Sequence, residues 1–255
     1  MEYPKENQIT RLPLLDVWVD VLNMDNALLK IRTFIQSNER PHCIFAVNPE
    51  KALSIPKDPF LHNIFKKADV LIPDGIGVVL AARLLHGVKI SRVTGVDLMK
   101  EICRMAANEG YGIYIYGATE EVNIRAVERL QKEFPGLSIV GRMHGYVTDQ
   151  GMMDLIESIN ASGAQILFLA LGSPMQERWF LKHSGYLSTV SLCQGIGGSL
   201  DVIAGKVKRA PLFWQKLGME WLYRLIREPT RIRRQWVLPM FALRVFKTKM
   251  MVRHI

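Results

Sequence analysis

The stretch Gln165-Ile166-Leu167-Phe168-Leu169-Ala170-Leu171-Gly172 decides the fold class. Six apolar residues follow one another without a break, and the chain then turns polar through Ser173, Pro174, Gln176 and Glu177. A strand that buries only one face alternates apolar with polar, whereas a strand buried on both faces reads as a continuous apolar run. Similar short runs are expected as strands at 43–47, 69–72, 112–116, 137–140 and 189–193, with an earlier one at 14–19. Between them, helical patterns fall at 25–37, 76–86, 96–109, 120–133, 151–161 and 174–183. Strand–helix alternation of this kind predicts an α/β fold: a Rossmann-like, mostly parallel sheet with helices on both faces.

Composition limits the alternatives. The chain has 255 residues, of which 49% are hydrophobic and 22% charged, enough to bury a large core. Three cysteines (Cys43, Cys103, Cys193) share no motif, and the histidines form no HExxH. A disulfide scaffold or a thiolate zinc site is therefore not expected, and no metal or cofactor is. The start of the chain lacks the basic and apolar pattern of a signal peptide, and no apolar run is long enough to span a membrane.

Charge divides the chain in two. Residues 206–255 hold 13 Lys and Arg against two acids, whereas 1–205 hold 20 against 22. The expected organisation is a catalytic α/β domain over 1–205 and a basic, amphipathic, helical appendage over 206–255. The appendage also carries Trp214, Trp221 and Trp236, with Pro229 and Pro239 expected to split it into about three short helices. Aromatic and basic residues interleaved on such helices suit an anionic membrane surface. A basic-tailed nucleic-acid-binding protein is the alternative, although the polar loops of the body are superfluous for a binder that acts through its tail.

Ligands of α/β sheets gather at the carboxyl ends of strands. Asn48-Pro49-Glu50 follows one strand, and there Asn48 is a ligand or a turn residue. Asp74, between Pro73 and Gly75, follows another. A carboxylate there is either a proton acceptor in a cleft or the N-cap of the next helix. Gly172 ends the stretch quoted above, and Gln176 beyond it bonds a sugar or faces solvent. Gly197 and Gly198 bring backbone N–H groups to a phosphate or make a tight turn. Asp201 holds a ribose or caps a turn. Arg92 pairs with a phosphate or with Asp97. Tyr146 is a ligand or packing. Gly117-Ala118-Thr119-Glu120 lacks the second glycine of a dinucleotide fingerprint, which argues against a nicotinamide enzyme. In the tail, Arg224, Arg231 and Arg234 are spaced to share a helical face, as diphosphate ligands or as a solvated surface.

Taken in order, several segments resemble the WecG/TagA/CpsF family of bacterial glycosyltransferases (family 26). They are Val47-Asn48-Pro49-Glu50, the run Pro73–Val78, the run Arg92–Met99, the run Gly172–Glu177, the run Gly197–Val202, the run Ala204–Pro211 and the run Glu220–Arg231. The resemblance implies an inverting, metal-independent enzyme. Such enzymes move N-acetylmannosamine, or a related hexose or uronic acid, from UDP to a polyprenyl-diphosphate-linked saccharide. Their products feed teichoic acid linkage units and other cell-surface polysaccharides. It implies a peripheral position on the cytoplasmic face of the plasma membrane, no nucleic-acid partner and a tendency to self-associate. By position it makes Asp74 the general base, and Asn48, Arg92 and Gln176 the polar active-site residues. Tyr146 and Asp201 become nucleotide contacts, and Arg224, Arg231 and Arg234 the cations that close over the diphosphate. Ala46 departs from the family, standing where some members carry threonine, which opens the identity of the donor sugar.

Overall fold

The computed structural model describes residues 9–37, 39, 41–227 and 236–252. Six strands form one parallel sheet: β3 (His42–Val47), β4 (Val70–Pro73), β5 (Ile113–Gly117), β6 (Ile139–Met143), β7 (Ile166–Ala170) and β8 (Leu192–Gly195). Their spatial order is β4-β3-β8-β7-β5-β6. Before the sheet come strands β1 (Arg11–Leu14) and β2 (Val17–Asp20), which form a separate antiparallel hairpin. The single strand expected at 14–19 is thus corrected to a hairpin. The chain reverses at Leu15, which takes a positive φ of 57°. The apolar run hides this turn, because Val17 and Val19 are buried again on the returning strand.

Alternation along the strands sorts the core into two layers. Cys43, Phe45 and Val47 of β3 face one side, with Leu71, Tyr114, Tyr116, Leu167, Leu169 and Cys193. That layer is covered by α2 (Pro49–Ser54), α3 (Pro59–Lys67), α4 (Ile76–His86), α7 (Met152–Ala161) and α8 (Met175–His183). Ile44 faces the other side with Val70, Ile72, Ile115, Ile166 and Phe168. There the cover is α1 (Met24–Ser37), α5 (Gly95–Glu109), α6 (Glu120–Glu133) and α9 (Ser199–Ile203). Helices α2 and α3 were not expected from sequence. Asn48 and Asp58 cap them, and a proline opens each, where a missing N–H costs nothing.

The topology makes a crevice. β3 and β8 are neighbours, but the chain leaves β3 toward β4 and leaves β8 toward α9, which packs on α6. Loops after adjacent strands therefore part at the carboxyl edge, which is where such sheets bind ligands.

Beyond α9 lie α10 (Leu212–Lys216), α11 (Glu220–Arg227) and α12 (Val237–Val252). Pro239 does not divide this segment as expected. It sits in the first turn of the 16-residue α12, where its lack of an N–H is harmless. A break between α10 and α11 falls at Gly218, which has φ 70°, and Pro229 lies outside the described residues. Helix α12 packs on α2 and α4 and buries Phe241 and Val245. Each such burial contributes about 1.5–3 kcal/mol. Among the described residues, no helix is long and apolar enough to cross a membrane.

Candidate active site

Asp74 leaves the carboxyl end of β4, and its N–H donates to Val47 O of β3 at 2.9 Å. That bond sets the Asp74 loop beside Asn48, the residue after β3. The N-cap of α4 is Gly75, with no side-chain cap, so the N-cap position expected for Asp74 belongs to its neighbour. Asn48 does cap: its Oδ1 accepts from Lys51 N at 2.9 Å, which fixes the carboxamide at the rim. Ala46 is partly buried among the apolar residues of the α5 layer.

Gln176 is 2% exposed, so a solvated face is excluded. Its Oε1 accepts from Gly197 N at 2.9 Å, and its Nε2 donates to Glu177 Oε1 at 3.3 Å. It therefore holds the loop after β8 against the start of α8. Only glycine fits at 195, because a Cβ there would lie 2.6 Å from Gln176 Nε2 and 2.9 Å from Phe45. Glu177 is fully buried and accepts from Lys51 Nζ at 2.9 Å, which ties α8 to α2. Lys51 and Glu177 escape sequence reading, since only the tertiary fold makes them a pair.

On the other side of Asp74 lies a cluster of alternating charge. Arg92 pairs with Glu220 (Nη2 to Oε2, 2.7 Å) rather than with Asp97 as one reading of the sequence had it. Asp97 belongs to Arg209, through two hydrogen bonds of 2.6 and 2.7 Å. Thr94 Oγ1 donates to the same carboxylate at 2.6 Å. Burial pushes the Asp97 carboxyl up, but the bonds from Arg209 and Thr94 and the charges of Arg209 and Arg92 outweigh it. The net result is a carboxyl held below its usual range. Burial likewise works against the Arg209 guanidinium, yet Asp97, Glu220 and Asp74 together hold its pKa above the ordinary arginine value. The field of Asp74 thus reaches Arg209. Nothing singled out Arg209 or Glu220 in the sequence beyond their places in the matched runs 204–211 and 220–231.

The remaining residues spread along the rim. Gly172 follows β7, with φ 75°, and Gly197 follows β8, with φ 51°. Gly198 is the N-cap of α9, without a side-chain cap. Asp201 faces Lys206 at 3.7 Å, and its carbonyl accepts from Val207 N at 3.0 Å, so its side chain is not the expected turn cap. Tyr146, in the loop after β6, is 72% exposed, and the packing reading fails there. Its N–H donates to His144 Nδ1 at 3.1 Å. Arg231 and Arg234 lie outside the described residues, as does the side chain of Arg224.

A parallel α/β sheet with a half-buried aspartate at its carboxyl rim, within the field of Arg209, has the form of an α/β enzyme. The chain belongs to the glycosyl transferase WecG/TagA/CpsF family, whose model matches residues 12–254, and it is a glycosyltransferase. Among its relatives is the N-acetylglucosaminyldiphosphoundecaprenol N-acetyl-beta-D-mannosaminyltransferase of Bacillus subtilis. It is 37% identical over 204 residues, which cover 80% of this chain and 78% of the relative. The protein of the same name from Bacillus spizizenii is 35% identical over 215 residues, covering 84% and 82%.

Proposed function

We propose that this enzyme transfers N-acetylmannosamine, or a related hexose or uronic acid, from a UDP-sugar to a polyprenyl-diphosphate-linked saccharide. The activity for which the two Bacillus relatives are named supports the acceptor and the sugar. The observation that carries the mechanism is the position of Asp74, on the carboxyl rim of β4, bonded through its backbone to β3 and within the field of Arg209. Asp74 accepts the proton of the acceptor hydroxyl. The oxygen attacks the anomeric carbon from the face opposite UDP, the bond to the diphosphate breaks, and UDP leaves with that electron pair. One displacement inverts the centre and gives a β linkage. The charge growing on the diphosphate is met by arginines and backbone N–H groups of the rim, with no metal required.

The enzyme works as a peripheral protein on the cytoplasmic face of the membrane, docked through residues 206–255. Support comes from Leu212, Phe213, Leu217, Trp236, Leu243 and Phe246, all exposed on a strongly basic segment. The test measures UDP release from a panel of UDP-sugars with a lipid-diphosphate-linked GlcNAc acceptor. Acceptor-dependent release from one donor, lost in Asp74→Asn, is the expected result. Release that survives in Asp74→Asn would remove Asp74 as the base.

A further inference from the structure

Arg92 lies in the loop between α4 and α5, on the wall of a cavity of about 340 Å³ shared with Ile76, Asp97, Leu212, Gln215 and Gly218. An arginine has five N–H donors and loses much rotamer freedom when it is held in one place. Here both terminal nitrogens reach into the C-terminal segment: Nη2 to Glu220 at 2.7 Å and Nη1 to Gln215 O at 3.2 Å. The Nε is a buried donor with no acceptor among the described residues. Glu220 is itself buried, 8% exposed, in the first turn of α11, where the helix dipole favours a carboxylate.

The elbow between α10 and α11 is seated on the Asp74 loop as well. Gly218 lies so close to Ile76, two residues after Asp74, that a Cβ would stand 2.8 Å from Ile76 Cγ1. With φ at 70°, this turn excludes other residues on two counts. The elbow therefore touches the β4 side of the rim at two points, Arg92 through Glu220 and the Asp74 loop through Gly218.

We propose that Glu220 is a positioning residue of the transfer site. It fixes the Arg92 guanidinium on the cavity wall, so that the N–H donors not taken by Glu220 and Gln215 serve the donor diphosphate. The arginine is preorganised only while the α10–α11 elbow is docked. This rests on the reading above, in which rim arginines offset the charge of the departing UDP.

The test is a double-mutant cycle in the full-length enzyme, with a UDP-sugar and a lipid-linked acceptor. The variants are Arg92→Ala, Glu220→Ala, Glu220→Gln and the double Arg92→Ala/Glu220→Ala. Tryptophan emission from Trp214 and Trp221 reports docking of the elbow, and circular dichroism reports folding. Glu220→Ala is expected to lower kcat by about a hundredfold, with a smaller effect on donor KM. The double variant should match Arg92→Ala within about twofold, because both changes remove one unit. Glu220→Gln, which keeps a hydrogen-bond acceptor, should recover part of the loss. A Glu220→Ala enzyme with wild-type kcat, one that is faster, or losses that add in the double variant would each overturn the proposal. If Arg92→Ala itself transfers normally, the rim reading of Arg92 fails first and the role of Glu220 goes with it.

Discussion

The two halves of the rim are held by different physics. On the side of β7 and β8, Gln176 and Glu177 are buried and bonded to each other, Glu177 also to Lys51 and Gln176 also to Gly197. On the side of β4, Arg92 and Arg209 are held by Glu220 and Asp97 in more exposed pairs, and the chain they anchor runs on into exposed apolar helices. The first half is part of the core and shares its stability. The second is built on partly exposed ion pairs, and only Phe241 and Val245 of the helix beyond it enter the core. The candidate site thus has a buried floor and a more exposed wall.

Several changes would break or sharpen that contrast. The largest effect is chemical. Asp74→Asn should lower transfer by about 10²–10⁴-fold with UDP binding kept, read by single-turnover kinetics and calorimetry. Next comes the floor. Lys51→Met leaves the Glu177 carboxylate buried without its cation, and a loss of about 3–5 kcal/mol in urea unfolding is expected. A loss under 1 kcal/mol would show that water reaches Glu177 and that the floor is no more rigid than the wall.

The wall should respond differently. Arg209→Gln breaks a partly exposed pair, so global stability should fall by no more than about 1 kcal/mol. Protease cleavage between α9 and α10 should nevertheless speed up, and a global loss as large as that of Lys51→Met would erase the distinction. The smallest effect is in pH. The folded Asp97 carboxyl lies below its unfolded value of about 3.9. Its contribution is therefore complete above that pH and is lost as pH falls through the folded value. Tryptophan emission should report elbow release at acid pH, and Asp97→Asn should flatten that transition.

Local patterns carried the architecture because they are local in origin. Continuous apolar runs mark strands buried on both faces, and glycine-rich polar loops mark their carboxyl ends, so the parallel sheet and the positions of Asp74, Asn48 and Gln176 were legible from residues alone. The reading failed where periodicity is silent. The turn at Leu15 sits inside an apolar run, and α2, at six residues, is too short to show a helical period. For Arg92 the sequence offered a phosphate or Asp97, and neither reading could name Glu220, which is distant along the chain.

By itself, then, the sequence determined the α/β class, the polar loops at the carboxyl ends of the strands and the basic, aromatic character of the C-terminal segment. These follow from side-chain periodicity and composition, which any short window reveals. Only the tertiary structure decided that Arg92 belongs to Glu220, 128 residues away, that Arg209 claims Asp97, and that Glu177 is buried against Lys51. Such pairings depend on which strands become neighbours, and the crossovers that set strand order leave no mark on the residues they bring together.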